Sequence, residues 1–183
     1  MTLRDKQHYW TLGFSLSVFP FLARAERVYR NIPQLPAQAS NAELPSLSII
    51  VPARNEAQNL RRLLPSLEQQ EYPGQFEIIV VDDHSTDATV EVVKERQRDI
   101  RAIRNPNCDL KWVSAAPLPT GWLGKQNASH TGAVAARGEW LLFTDADTEH
   151  KSFSAAAAVV YAQSSNLDGL SIFPQQNTHG LLD

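Results

Sequence analysis

Short apolar runs alternate with amphipathic or alanine-rich runs along residues 47–173, and this alternation constrains the fold more than any other feature. The strand-like runs are Leu47–Val51, Phe76–Val81, Lys111–Val113, Trp140–Thr144 and Gly169–Phe173. The helix-like runs are Glu56–Gln70, Thr86–Arg98, Gly124–Ala136 and Ser152–Gln163. Strands alternating with helices predict a mostly parallel α/β sheet with helices on both faces. Phe76–Val81 carries apolar, mostly β-branched residues on both faces, and Trp140–Thr144 is a similar run, which predicts strands buried on both faces.

The helix-like runs carry face and start signals. Residues 60–67 place four leucines at the i, i+3, i+4, i+7 spacing of one helix face. Pro65 lies within this run and is expected to kink or restart the helix. For the second helix, Ser85 or Thr86 is the expected N-cap, and Asp87 is favourably placed to cap it or to lie in its first turn.

Composition and charge exclude several classes of protein. The net charge is −3 over 183 residues, which argues against a nucleic-acid-binding domain because such domains are usually strongly basic. The single cysteine, Cys108, cannot form an internal disulfide, and together with five scattered histidines it provides no conventional zinc-ligand cluster. Glycine-rich dinucleotide, P-loop and nucleophile-elbow motifs are also missing, since Gly121–Lys125 is too short for a P-loop.

The N-terminal part differs from the rest in charge and hydropathy. Residues 1–40 hold five basic and two acidic residues, whereas residues 41–183 hold 12 and 18. The apolar stretch Tyr9–Ala23 would rise only about 22 Å as a helix, against roughly 30 Å of membrane hydrocarbon. Residues 1–30 therefore have four interpretations: a short membrane helix, a signal peptide, an interfacial anchor or a helix packed on the domain. Residues 31–46 predict a linker, and residues 47–183 predict the main domain.

Polar and acidic residues follow three of the predicted strands. Pro52–Glu56 follows the first, Asp82–Asp87 follows the second, and Asp145–Asp147 follows the run Trp140–Thr144. In an open α/β sheet, ligands bind beyond the carboxyl ends of the parallel strands, which share one edge. We therefore expect these three segments to form one ligand site.

Asp145 and Asp147 are the candidate metal ligands. Residues at i and i+2 that leave a strand point the same way, so both carboxylates can face one cation. Hard oxygen ligands suit Mg²⁺ or Mn²⁺, which such sites hold with one or two carboxylates and substrate phosphates. The alternative is a turn whose aspartates cap the next helix.

Other candidate residues each have a structural alternative. Asp83 can accept hydrogen bonds from a base or ribose, or it can cap a helix. Arg54 and Lys125 can contact phosphate, or they can be solvated surface charges. His84 and His150 follow the carboxylate clusters, and we expect both to be solvent-facing hydrogen-bonding residues.

The motif set resembles that of a known family. The segments Ser48–Glu56, Ile78–Asp87 and Thr144–Asp147 are similar to the three ordered motifs of family 2 glycosyltransferases, which have the GT-A fold. Two further segments, Pro117–Lys125 and Thr144–His150, together with Ser171–Gln176, resemble the membrane-associated subgroup linked to hopanoid and carotenoid glycosylation. The resemblance covers residues 46–183 and implies a Rossmann-like, mostly parallel nucleotide-sugar-binding sheet.

The resemblance implies transfer of a sugar from a nucleotide-diphosphate donor to a hydroxyl acceptor, with inversion and with Mn²⁺ or Mg²⁺. It implies that Asp83 contacts the base, that Asp145 lies near the ribose and metal, and that Asp147 ligates the metal. The residues expected to bind the donor are Pro52, Arg54, Glu56, Asp83, Lys125 and Asp145. His84 departs from the pattern, because many relatives have a small residue there.

The catalytic general base has no candidate in this sequence. In the family, the base, the acceptor-binding region and the membrane-spanning parts normally follow the matching region, so we expect them beyond Asp183. The chain is then expected to be C-terminally truncated, as the donor-binding half of a larger enzyme. Two alternatives stay open: a non-catalytic nucleotide-sugar-binding module and a nucleotidyltransferase-like α/β enzyme.

The expected location follows from the donor. Nucleotide sugars of this kind are cytosolic, which counts against a cleaved signal peptide. We therefore expect a membrane-associated protein, with residues 1–30 as the anchor and the catalytic domain on the cytoplasmic side. The expected acceptor is a hydroxyl compound, with a lipid or carotenoid as the favoured class.

Overall fold

The computed structural model describes residues 20, 22–24, 26–27, 35, 44–103 and 108–173. The chain divides into two compact units, Met1–Gln34 and Leu35–Asp183. In the first unit, each residue that is described is helical. Most of the apolar stretch Tyr9–Ala23 lies outside the described ranges, so the predicted anchor stays a prediction. Within those ranges, no helix combines the length and apolar character needed to cross a membrane.

The second unit is an α/β domain built on a four-stranded sheet. Its strands are β1 (Leu47–Ala53), β2 (Phe76–Asp82), β3 (Cys108–Ser114) and β4 (Trp140–Phe143). Its helices are α1 (Ala57–Glu68), α2 (Thr89–Ile103), α3 (Gly124–Ala135) and α4 (Ser154–Ser164). The strands are all parallel, in the spatial order β3-β2-β1-β4. The predicted fold class is confirmed.

Helices cover both faces of the sheet. On one face, side chains of β1 and β2 pack against the leucine stripe of α1 and against residues of α2 and α4. On the other face, Ile50, Ile79 and Val81 pack against Ala128 of α3. Gly132 of α3 permits close packing there, since a Cβ atom would lie 2.5 Å from Cγ2 of Ile50. The sequence-predicted layering is therefore correct, with α3 on the face opposite the other three helices.

Two strand predictions are wrong. Gly169–Phe173 is not a strand: it has no strand neighbour within the described part of the chain, and Phe173 is 81% exposed. The strand β4 is not buried on both faces, because it lies at the edge of the sheet and exposes Leu141 and Phe143. Apolar composition alone could not distinguish these cases, since burial depends on which strands and helices lie alongside.

Several element boundaries also differ from the prediction. The strand β3 has seven residues instead of three, because its polar members still pair with β2. The helix α2 begins at Thr89, and the capping carboxylate is that of Asp87, which accepts a hydrogen bond from the Thr89 amide at 3.0 Å. Ser85 and Thr86 are therefore not its N-cap. The helix α1 runs on through Pro65 without a break.

The domain begins before β1. Leu44 is buried within the main core, and the carbonyl of Pro45 accepts a hydrogen bond from the Tyr72 hydroxyl. The backbone carbonyl of Ser46 accepts a hydrogen bond from the amide of Trp140, at 3.0 Å. The last residues of the predicted linker thus pack on the domain, while most of residues 31–43 lie outside the described ranges.

A buried carboxylate joins the strands near their amino ends. Glu77 of β2 accepts hydrogen bonds from the Ser48 hydroxyl at 2.7 Å and from the Arg137 amide at 2.7 Å. The Lys111 ammonium lies 2.9 Å from the same carboxylate, and the Arg137 guanidinium lies 3.0 Å from it. Burial raises the pKa of Glu77, but these hydrogen bonds outweigh burial and lower the pKa to about 2.

We expect Glu77 to make the domain sensitive to acid. Because the pKa of Glu77 is lower in the folded than in the unfolded state, its charged form adds about 3 kcal/mol to the free energy of unfolding. This contribution is present above pH 5 and is lost as the pH falls towards 2. Urea unfolding of the wild type at a series of pH values from 7 to 3 should show this loss. In Glu77→Gln the free energy of unfolding should depend less steeply on pH. The matched control is Glu91→Gln, an exposed carboxylate on α2. Equal slopes for the wild type and Glu77→Gln would contradict the assignment.

Candidate functional site

The loops after β1 and β2 are hydrogen-bonded to each other. The Asn55 amide donates to the Ser85 hydroxyl at 2.9 Å, and the Asn55 side-chain oxygen accepts from the Thr86 amide at 2.8 Å. Asn55 and His84 adopt positive φ angles of 57° and 59°. Asn and His are enriched among the non-glycine residues that adopt this conformation. The two predicted loop segments therefore form one surface at the carboxyl edge of the sheet.

The segments at the starts of α1 and α2 are hydrogen-bonded to each other. The Glu56 amide donates to the Thr89 hydroxyl at 2.8 Å, and the Ala57 amide donates to the Asp87 carboxylate at 3.2 Å. Hydrogen bonds from Thr89 and Ala57 lower the pKa of Asp87. The Glu56 carboxylate accepts a hydrogen bond from Asn59 at 2.6 Å. The Glu56 carboxylate is therefore hydrogen-bonded within its own helix.

Pro52 lies where a strand can tolerate a residue without an amide hydrogen. Carbonyls of Ser46 and Ile50 accept hydrogen bonds from the β4 side, whereas the carbonyl of Ala53 accepts one from the β2 side. Pro52 is the next residue facing β4, and β4 has ended at Phe143. Because β4 offers no strand residue opposite Pro52, the missing amide hydrogen of Pro52 costs no hydrogen bond between the strands.

Asp83 occupies the centre of the loop surface. Its side chain is 15% exposed, and its carboxylate lies 3.8 Å from the Arg54 guanidinium. The His84 ring lies 3.3 Å from the other carboxylate oxygen, with a side chain that is 64% exposed, as the sequence predicted. The structure thus brings together the predicted phosphate and base contacts.

The start of α3 lies between two of the candidate carboxylates. A Cβ atom at Gly124 would lie 2.5 Å from Oδ2 of Asp83, so only glycine fits without displacing that carboxylate. The next residue, Lys125, places its ammonium 2.6 Å from Oδ1 of Asp145. Two successive residues of α3 therefore bring the strand ends of β2 and β4 to one place.

Asp145 and Asp147 leave the sheet together on the solvent side. Both are exposed, and Ala146 between them is buried, which is the alternation expected for residues at i and i+2. Over the described ranges, no group of three or more His, Cys, Asp or Glu side chains is close enough to hold a metal ion. Two exposed carboxylates fit the kind of Mg²⁺ or Mn²⁺ site that is completed by substrate phosphates.

His150 does not face solvent as the sequence suggested. It is half-buried, and its Nε2 atom lies 2.9 Å from the Thr144 hydroxyl. Its amide donates to the Ser66 hydroxyl at 3.1 Å. Burial lowers the pKa of His150, which favours the neutral form of the ring. No sequence signal linked His150 to Ser66, because the two residues belong to elements far apart along the chain.

We expect Gly124→Ala to weaken ligand binding at this edge without unfolding the domain. The added methyl must displace the Asp83 carboxylate, whose nearest oxygen would be 2.5 Å away. Calorimetric titration with UDP, a ligand of the class that the motif resemblance implies, should show weaker binding than the wild type, and thermal unfolding should change little. Gly169→Ala is the matched control, since a Cβ atom there meets nothing within 4 Å. Unchanged UDP affinity in Gly124→Ala would contradict the placement of Asp83 at a binding surface.

The comparison with known families decides which family this domain represents. The model described as glycosyl transferase family 2 matches residues 48–169, which include all three strand-end segments. The chain belongs to glycosyl transferase family 2. The resemblance read from the motifs is thereby confirmed, and the GT-A fold is confirmed by the solved structures below.

Relatives of this family 2 domain share about a third of the aligned residues with it. A 4,4'-diaponeurosporenoate glycosyltransferase from Staphylococcus haemolyticus is 34% identical over 131 residues, which are 70% of this chain and 32% of that protein. The chain therefore spans about a third of the length of this curated relative.

Two solved structures share the fold. The mannosyltransferase PcManGT from Pyrobaculum calidifontis, in complex with GDP-Man and Mn²⁺, is 29% identical with a TM-score of 0.57, covering 79% of this chain and 39% of that one. TarS 1-349 from S. aureus, in complex with UDP, is 27% identical with a TM-score of 0.51, covering 71% and 38%.

Proposed function

We propose that this family 2 domain binds a nucleotide-diphosphate sugar and that the protein transfers the sugar to a hydroxyl acceptor. The observation that carries the proposal is the meeting of Asp83, the start of α3 and Asp145 at one sheet edge. Gly124 contacts the first carboxylate and Lys125 pairs with the second. The groups that we propose for base and phosphate binding are therefore close enough to act on one ligand.

Each side chain has a role suited to its chemistry. Asp83, largely buried, accepts hydrogen bonds from N–H groups of the base. Arg54 and Lys125 are exposed cations that pair with the diphosphate. Asp145 and Asp147 hold Mn²⁺ or Mg²⁺, and a bound cation would stabilise the charge that develops on the departing nucleoside diphosphate.

The relatives support the donor and metal parts of this proposal. PcManGT was solved with GDP-Man and Mn²⁺, and TarS 1-349 was solved with UDP. The residues present here fit such a complex, because two carboxylates beside a lysine need phosphate oxygens to complete a cation site. Titration of the chain with UDP and with GDP, each with and without Mn²⁺, tests the proposal. Turnover of nucleoside triphosphates in place of nucleotide binding would favour a nucleotidyltransferase instead.

The acceptor proposal rests on the relative named for 4,4'-diaponeurosporenoate, an isoprenoid carboxylate, which supports an isoprenoid or lipid compound as the acceptor class. The hydroxyl part of the proposal comes from the motif resemblance. An apolar acceptor is most accessible at a membrane surface. We propose that the protein is associated with the membrane and that its catalytic domain is on the cytoplasmic side. The general base is proposed to lie outside the residues placed at this edge.

Deletion of residues 1–30 is expected to release the protein from the membrane. The segment combines the apolar stretch Tyr9–Ala23 with basic residues on both sides, which favours binding to anionic lipid surfaces. Membrane fractionation of the full chain and the deletion variant measures the change. If the fractionation does not change, the anchor proposal is wrong.

A further inference from the structure

The turn that carries Asp145 and Asp147 rests on a cluster of hydroxyl groups around His150. Nε2 of His150 lies 2.9 Å from the Thr144 hydroxyl and 3.4 Å from the Thr148 hydroxyl. The two threonine hydroxyls lie 2.8 Å apart. Neither the candidate ligand contacts nor the sequence motifs give this cluster a role.

The hydrogen bonds of the cluster can be assigned a direction. The Thr148 hydroxyl donates to the Asp145 carbonyl at 2.7 Å, so towards Thr144 it can only accept. Thr144 therefore donates to Thr148 and accepts from His150, which places the proton of the neutral ring on Nε2. Nδ1 then accepts from the Ser154 hydroxyl, and the Gln70 side-chain oxygen, 3.2 Å from that hydroxyl, still accepts from the Ala155 amide at 3.0 Å. The result is a directed chain from His150 through both threonines to the backbone of Asp145.

The cluster is hydrogen-bonded to residues of α1 and α4. The His150 amide donates to Ser66 of α1 at 3.1 Å, and Nδ1 of the ring lies 3.3 Å from the Ser154 hydroxyl at the start of α4. Gln70, which follows α1, donates to the Lys151 carbonyl at 2.8 Å. The helix α1 therefore holds the backbone of His150, α4 contacts its ring, and the ring contacts the two threonines of the turn.

We propose that His150 is a positioning residue for the carboxylate pair, acting through Thr144 and Thr148 on the backbone of Asp145. The proposal rests on the proposed function, since it assigns His150 to the cation site of the donor. Its chemistry is that of a neutral hydrogen-bond donor: His150 does not touch the cation or the substrate. Groups that orient metal ligands typically change metal affinity by about 10–100-fold when they are removed.

The test measures Mn²⁺ binding to the full 183-residue chain in saturating UDP, by the loss of the free-Mn²⁺ electron paramagnetic resonance signal. His150→Leu is expected to weaken Mn²⁺ binding about 10-fold or more. His150→Gln, whose amide nitrogen can replace Nε2 as the donor, is expected to recover most of the affinity. The matched control is His130→Leu, which removes an exposed histidine of α3 whose ring packs edge to face against Trp122. Equal Mn²⁺ affinity in the wild type and His150→Leu would overturn the proposal.

Two further measurements keep the test decisive. Thr148→Val removes the hydroxyl that bonds the Asp145 carbonyl, and it should weaken Mn²⁺ binding as His150→Leu does even if the latter variant folds poorly. Hydrogen exchange of the Thr148 amide, which donates to the same carbonyl at 3.3 Å, should accelerate in His150→Leu and recover in His150→Gln. Unchanged exchange would overturn the proposal. Absence of Mn²⁺ and UDP binding in the wild type would instead refute the proposed function, and the exchange experiment would still decide the positioning role.

Discussion

Asp147→Asn is expected to abolish the Mn²⁺-dependent part of nucleotide binding. Asp147 is exposed, and the described residues offer it no hydrogen bond or ion pair, so its carboxylate is free to ligate a cation. Asp145 and Asp147 are the two carboxylates proposed to ligate the cation, and the loss of one removes half of the proposed protein ligands. We expect Mn²⁺ affinity in saturating UDP to fall on the order of 100-fold. Metal-free UDP binding should stay unchanged.

The control for this variant is Asp99→Asn. Asp99 is an exposed carboxylate on α2, 3.5 Å from Arg96, and an exposed pair of this kind contributes little to stability. It lies in the half of α2 remote from the carboxyl edge of the sheet, because α2 starts at that edge and runs away from it. Equal Mn²⁺ affinity in the wild type and Asp147→Asn would show that Asp147 does not ligate the cation.

Asp83→Asn is expected to weaken nucleotide binding whether or not Mn²⁺ is present. Its carboxylate is largely buried, faces Arg54 and abuts Gly124, so it is the group best placed to accept hydrogen bonds from a base. Hydrogen bonds to charged groups contribute about 1.5–3 kcal/mol, which corresponds to roughly 10–100-fold in affinity. Isothermal titration with UDP measures the loss directly.

Asp109→Asn is the matched control for Asp83→Asn. Asp109 lies near the amino end of β3, at the opposite edge of the same sheet, and pairs with Arg137 at 2.7 Å. Its removal should leave UDP affinity unchanged. If both variants bind UDP equally well, Asp83 is not a base contact. A loss in Asp83→Asn that appears only with Mn²⁺ would instead assign Asp83 to the cation site.

The sequence predicted the parts of the fold that depend on local pattern. Alternation placed all the strands from Leu47–Ala53 to Trp140–Phe143 and the helices between them, and the shared edge of a parallel sheet placed their ends together. The strand predicted at Gly169–Phe173 failed because a strand needs a partner, and its apolar residues have no neighbouring strand among those described. Pairing is a property of the assembled sheet, which no local pattern reports.

The same limit explains what was missed at the site. Asp83, Asp145 and Asp147 were predictable, because each lies in the segment that follows a strand. The pairing of Lys125 with Asp145 and the close approach of Gly124 to Asp83 depend on how α3 packs across the sheet. His150 was misjudged for a related reason: its partners come from α1, α4 and the β4 turn. Contacts between distant segments become visible only once the helices are placed.

Nucleotide binding at this sheet edge is tested most directly by calorimetric titration of the wild-type chain with UDP and with GDP, each in the presence and absence of Mn²⁺. At least one nucleotide is expected to bind saturably and more tightly with Mn²⁺, and the Mn²⁺ effect is expected to be lost in Asp147→Asn. Failure of both nucleotides to bind, with Mn²⁺ as well as without it, would contradict the assignment of this sheet edge as a nucleotide-sugar site.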